Sequence, residues 1–333
     1  MGWNCREERV QERERFGAIH QERRGLAMES NRTRRLVVVT LFAIQVTFRA
    51  GADSNGESSK NGTSGTTWTT PSMSVVLLTI YDNSFARIVR HYAAMPFVTD
   101  ILVVWNNLDK GPPFVNGSFR VPVTVVLETK NTLNNRYKHA NMLQNDLAFL
   151  TDDDILLDFR TLQYASRFLA TDPLAVVGFF PRQVAYEENG WKYGARGNLK
   201  EVFHMTTGRA HLLRARWMNA FTSLPSNLLD FIDKNKPTCE DITLHFLIAN
   251  TTSSTLIFVK PCSPVVLRRR GMSKRTRHWW VRRSACLNRL STAFGGMLLR
   301  NNTKKYFCAD YLEEEHRTKQ NRTLESPVLA PGN

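Results

Sequence analysis

The chain has 333 residues, 42% of them hydrophobic, which is enough to bury a substantial core in one large domain or two small ones. Five cysteines are too few for a disulfide-built scaffold, and no His/Cys grouping has zinc spacing, so a structural zinc is not expected. The formal net charge is +15, and 260–305 holds thirteen Lys and Arg with no Asp or Glu. An anionic partner follows: phosphate, an acidic sugar or a membrane surface. The segment matches no nucleic-acid-binding module, so no nucleic acid is expected.

Residues 1–35 are polar, alternate Arg with Glu, and carry too little apolar material to fold alone. Arg34 and Arg35 then precede an apolar run, 36–48, closed by Arg49. A bilayer-spanning helix needs about 20 such residues, whereas a signal-peptide core needs about 7–15. Two readings of 36–52 stay open. One is a signal cleaved near Ala50, Gly51 and Ala52, of ordinary length if translation starts at Met28. The other is a short type II membrane anchor. The Gly/Ser/Asn/Thr-rich stretch 53–72 reads as a flexible stem. Five N-x-S/T sequons, at Asn61, Asn116, Asn250, Asn301 and Asn321, follow the run, in keeping with a lumenal location in the Golgi or endoplasmic reticulum.

From Met73 onward the pattern is α/β. Strands are expected at 75–80, 101–105, 121–128, 147–150 and 176–180, and helices at 84–92, 133–143, 161–170 and 241–249; 203–213 fits either. Alternation of that kind implies a mostly parallel, Rossmann-like sheet with helices on both faces. Ligands then bind beyond the carboxyl ends of the strands. The strand at 147–150 runs into Asp152, Asp153 and Asp154, with Asp152 and Asp154 on one side. Clustered like charges need a cation to offset them, and a magnesium-type ion takes one or two carboxylates plus substrate phosphate oxygens. A metal-nucleotide site is one reading, and a solvated acidic turn is the other. After Asp310 the chain is charged and contains prolines, and 311–333 is expected to be a disordered tail.

Several segments recur together in one known family: VVWNN at 103–107, LNNR at 133–136, DDD at 152–154, VGFFPR at 177–182, CEDI at 239–242 and RSAC at 283–286. On these motifs the body, 73–310, resembles the exostosin-like glycosyltransferases of family 64. It looks closer to the plant branch that glycosylates sphingolipids than to the animal heparan sulfate branch.

The resemblance implies a GT-A fold with a C-terminal acceptor-side portion. It also implies retaining transfer of a hexose or N-acetylhexosamine from a UDP- or GDP-linked donor to a glycan or glycolipid, possibly acidic, with Mn2+ or another divalent cation. Carried over by position, Asp154 would ligate the metal. Asn106, Asn131, Arg136, Asp152, Asp153, Arg182 and Glu240 would bind the nucleotide sugar, and Asp241 with Arg283 would form the reaction centre. The family pairs the positions of Cys239 and Cys286, and a bond between Cys262 and Cys308 would use two of the other three cysteines.

The chemistry suits those residue types. A guanidinium such as Arg283 stabilises charge developing on the departing diphosphate, and a carboxylate such as Asp241 stabilises positive charge at the sugar C1. His245 fits a hydrogen-bonded buried histidine, and Trp279 and Trp280 fit either sugar stacking or packing under a loop. Two departures from the family stand out. Tyr81, Asp82 and Asn83 lack an Arg found in many members, and 194–197 lacks the aromatic residues of the plant relatives. Donor base and acceptor therefore stay open. So does a lumenal binding or scaffold protein that keeps the fold without turnover, and a metal-dependent phosphotransferase.

Overall fold

A computed structural model describes residues 38–41, 70–81, 85–113, 118–188, 190–194, 202–234, 239–252, 256–263, 265–266 and 278–324. The expectations for 1–35, 53–69, Asp82, Asn83 and 195–197 lie outside them.

The centre is a nine-stranded sheet ordered β1-β4-β3-β2-β5-β12-β7-β13-β15. Its strands are β1 (Val38–Leu41), β2 (Met73–Thr79), β3 (Val98–Trp105), β4 (Val123–Leu127), β5 (Leu147–Asp152), β7 (Val176–Gly178), β12 (Ala210–Arg214), β13 (Leu256–Lys260) and β15 (Lys305–Phe307). The run β4-β3-β2-β5 is parallel, as is β7-β13-β15. β12 is antiparallel to both β5 and β7, and β1 is antiparallel to β4. Short pairs lie outside the sheet: β6 (Ile155–Leu156) with β14 (Val265–Val266), β8 (Pro181–Arg182) with β11 (Met205–Thr206), and the hairpin of β9 (Val184–Glu187) and β10 (Gly190–Tyr193).

β2 is buried along its whole length. Val75 and Leu77 face one core and Val76 and Leu78 the other, because successive side chains of a strand point to opposite faces. The first core is closed by α1 (Phe85–Ala93) and α2 (Phe159–Thr171), through Ile88, Tyr92 and Leu162. The second is closed by α3 (Arg216–Thr222), α4 (Ser226–Lys234), α5 (Glu240–Thr251) and α6 (Trp279–Ala293), through Trp217, Ile232, Ile242 and Leu287. The expected mostly parallel sheet flanked by helices is the fold observed.

Two local expectations are corrected. The span 133–143 is not an α-helix but two 3-10 turns, Leu133–Tyr137 and Ala140–Met142. Side chains outcompete the helix there: Thr132 caps Asn134 N, Asn134 donates to Asp233, and Asn135 donates to Lys130 O and Asn106. Part of the expected disordered tail is helical, since α7 spans Cys308–Leu324. Its first turn is tied to Cys262 by a disulfide, and Tyr311 stacks on Tyr164 at 4.8 Å beneath Arg167. Within 36–52 the described residues are β1, a β-branched edge strand paired with β4. The open span 203–213 resolves into β11 and β12.

Candidate active site

β5 ends at Asp152, and Asp153 and Asp154 form the turn into β6, beyond the carboxyl end of a central parallel strand. Arg136, buried on the first 3-10 turn, donates from Nη2 to Asp152 Oδ1 at 2.8 Å and from Nη1 to the carbonyl oxygen of Gly208. The N–H of Gly208 donates to Asp241 Oδ2 at 3.0 Å. Arg283 Nη2 then donates to Asp241 Oδ1 at 2.8 Å and Oδ2 at 2.9 Å, with both residues buried. One continuous polar path thus runs from the acidic triplet through Arg136 and Gly208 to the Asp241–Arg283 pair.

The disulfide between Cys239 and Cys286 joins the N-cap of α5 to the middle of α6, with Cα atoms 5.8 Å apart. It fixes the helix carrying Asp241 against the helix carrying Arg283. The guanidinium of Arg283 also lies 4.0 Å from the ring centre of Tyr193 and 5.5 Å from that of Trp279. Tyr193 in turn stacks on Trp280, centroids 5.6 Å apart. Gly194 has φ +71°, and a Cβ there would overlap the Trp280 ring.

Electrostatics differ sharply between neighbouring carboxylates. Burial, reinforced by the charge of Asp241, pushes Glu240 up to about 8 against the pull of Arg136 and Arg283. Burial would also raise Asp241, but Arg283 and the Gly208 N–H outweigh it and hold the group below the usual carboxylate range. The two neighbours are thus pushed in opposite directions, Glu240 toward its neutral form and Asp241 toward its ionised form. Asp152 is raised by burial and by Asp154, with Arg136 opposing.

The structure brings some expected site residues together and gives others a bracing position. Asp154 meets Arg209 at 3.4 Å, and Arg209 lies over the Phe180 ring at 4.7 Å. Asp153 turns inward and accepts from Thr79 Oγ1. Asn106 is buried, donating to Thr132 O and accepting from Asn135, each at 2.7 Å, so its amide holds the loop that carries Arg136. Asn131 is exposed on that loop. Arg182 is half-buried on β8 and acts electrostatically on Tyr193.

Gly208, Arg209 and Tyr193 escape sequence reasoning. Gly208 sits in a Thr-Thr-Gly-Arg turn, the one local signal that could have marked it as a point of close approach. His245 is a buried histidine whose Nε2 lies 2.9 Å from Thr206 O, and burial lowers it to about 4.

A divalent ion fits the donor set in a limited way. Among the described residues, the only three-ligand His/Cys/Asp/Glu group is Asp158, Cys262 and Cys308, whose sulfurs are used in the disulfide. The triplet oxygens do not converge, and Asp153 serves Thr79. Asp154 with Asp152 can supply one or two oxygens, which suits a hard cation that takes its other ligands from a phosphate and water.

Residues 73–309 match the model of the glycosyl transferase family 64 domain. The chain belongs to glycosyl transferase family 64. Mouse exostosin-like 2 is 29% identical over 232 residues, covering 64% of this chain and 69% of that protein. Human exostosin-2 is 31% identical over 226 residues, covering 65% of this chain but 31% of that protein, so the family 64 chain aligns with under a third of it. Glycosylinositol phosphorylceramide mannosyl transferase 1 of Arabidopsis thaliana is 28% identical over 233 residues, covering 63% and 68%. A crystal structure of GalNAc-T7 with UDP, GalNAc and Mn2+ overlaps 56% of this chain and 41% of that one. At 12% identity and a TM-score of 0.40 it is too distant to bear on the site. The animal and plant relatives align at similar identity, so the expected leaning toward the plant branch is not separated by these comparisons. As a family 64 domain, the protein is a glycosyltransferase.

Proposed function

We propose that this domain has a GT-A architecture and moves a hexose or N-acetylhexosamine, with retention of configuration, from a UDP- or GDP-linked donor to a glycan or glycolipid. The place would be the lumen of the Golgi or endoplasmic reticulum, reached by a cleaved signal or a type II anchor within 36–52. Among the described residues no helix is long and apolar enough to cross a membrane.

The observation that carries the proposal is the polar path from Asp152 through Arg136 and Gly208 to Asp241 and Arg283. It sets an acidic cluster suited to a metal-diphosphate beside a buried ionised carboxylate suited to a developing cation. A bound divalent ion, Mn2+ or another, would be held by Asp154 and would neutralise charge on the diphosphate. Arg136 and Asp152 would orient the donor, with Asn131 on the loop before Arg136 and Arg182 on β8 as further donor contacts. Arg283 would stabilise the negative charge of the leaving group. Asp241 would stabilise or attack the oxocarbenium-like centre at C1.

Titration calorimetry and turnover of Asp241→Asn test the assignment. The variant is expected to keep donor affinity and lose turnover, and full activity would remove Asp241 from the mechanism.

A further inference from the structure

Three arginines pair with carboxylates of the site, and one is held unlike the other two. The side chains of Arg136 and Arg283 are 2% and 3% exposed and meet Asp152 and Asp241 at 2.8 Å. Arg209 keeps 31% of its side chain exposed and meets Asp154 Oδ1 through a single contact at 3.4 Å, beyond the roughly 2.7–2.9 Å of a tight charge-assisted hydrogen bond. Its guanidinium rests over the Phe180 ring, 4.7 Å from the centre, which keeps it nearby without the two-oxygen grip that fixes Arg283.

The backbone beneath that side chain is fixed. Asp152 N donates to Arg209 O at 2.9 Å, Ala210 pairs with Thr151 across β12 and β5, and Gly208 is tied to Arg136 and Asp241. Movement at Arg209 therefore belongs to the side chain alone. Its partner Asp154 is the carboxylate assigned above to the divalent ion. A carboxylate already paired with a guanidinium is a poorer ligand for a dication, because the two cations repel and the pair must loosen first. A diphosphate reverses the balance, since its oxygens offer the planar fork of an arginine the paired acceptors that it lacks at Asp154.

We propose that Arg209 competes with the divalent ion for Asp154 and, on giving up that carboxylate, binds the diphosphate of the donor. Before a donor binds, Arg209 offsets the charge of Asp154 and, through space, that of Asp152. On donor binding it changes partner from carboxylate to phosphate while its backbone stays in place. Arg209 thereby couples the two ligands: the ion alone is disfavoured, and the ion together with a diphosphate is favoured. The inference rests on the metal-nucleotide reading of the triplet proposed above.

Calorimetric titration of the parent protein and Arg209→Gln tests it, first with Mn2+ alone and then with UDP and GDP at saturating Mn2+. The variant is expected to bind Mn2+ alone about three- to tenfold more tightly, because no guanidinium has to leave. It should bind the nucleoside diphosphate about tenfold more weakly. Arg209→Lys, which keeps the charge and loses the fork, should leave Mn2+ affinity near the parent's and recover part of the nucleotide affinity. An arginine that only braced the fold would weaken both affinities or neither when lost, so a gain in one against a loss in the other is the signature. Equal or weaker Mn2+ binding by Arg209→Gln would overturn the competition, and unchanged nucleotide affinity would overturn the phosphate contact. Failure of the parent to bind Mn2+, or to bind either nucleotide, would overturn the metal-nucleotide reading and this inference together.

Discussion

Gly208 is the residue on which the two halves of the site depend. A Cβ there would lie 3.1 Å from Glu240 Oε1 and 3.2 Å from Asp241 Cβ, tighter than ordinary contact. Gly208→Ala is therefore expected to displace Asp241 and lower turnover by about tenfold to a hundredfold while leaving the fold intact. Circular dichroism with a rate assay on one preparation checks both parts. Arg283→Lys keeps the charge but loses the two-oxygen contact to Asp241 and the stacking on Tyr193. Turnover should fall by about 10²–10³-fold.

Glu240 yields a pH prediction. Its folded pKa of about 8 lies above the ordinary value of 4.5, so the folded state binds more protons than the unfolded state between them. The stability it contributes is complete below the unfolded value and is lost as pH rises through about 8. Glu240→Gln should flatten that decline, so that its melting temperature exceeds the parent's at pH 9. Parallel melting curves with equal slopes against pH would contradict this.

At the scale of elements, the strands and helices with clean apolar periods were legible, including β2, β3, β5, α1, α2 and α5. The 3-10 turns at 133–142 were not. Apolar spacing at Leu133 and Tyr137 suggests a helix, but the outcome is decided by amide side chains whose partners, Asp233 and Asn106, lie far off in sequence. α7 was hidden for a similar reason, because its anchors, Cys262, Tyr164 and Arg167, come from other elements. Of the site, the carboxylates and Arg283 could be read from motifs. The turn at Gly208 and the ring of Tyr193 could not, since neither has a chemical signature until the chain is folded.

The two disulfides act at this scale. Each closes a loop of similar length, with sequence separations of 47 and 46. Cys262→Ser with Cys308→Ser should destabilise by about 2–5 kcal/mol with donor affinity nearly unchanged. Cys239→Ser with Cys286→Ser should cost a similar amount and also reduce turnover, because it frees α5 from α6. Denaturant melts paired with a rate assay would separate the two, and equal turnover losses would contradict the distinction.

At the scale of the molecule, a sheet buried on both faces carries the acidic turn at the carboxyl end of β5, and α5 and α6 bring the Asp241–Arg283 pair to that end. The charge excess in 260–305, a stretch of sequence that includes α6, would suit an anionic partner. The central claim is that the triplet grips a metal-bound nucleotide sugar for transfer at Asp241. Its most direct measurement is nucleoside diphosphate release from a panel of UDP- and GDP-sugars, with and without Mn2+, by the parent protein and Asp154→Ala. The account predicts that at least one donor is turned over only when a divalent ion is present, and that Asp154→Ala abolishes the reaction. No turnover of any donor with any ion, or an Asp154→Ala variant as active as the parent, would contradict it.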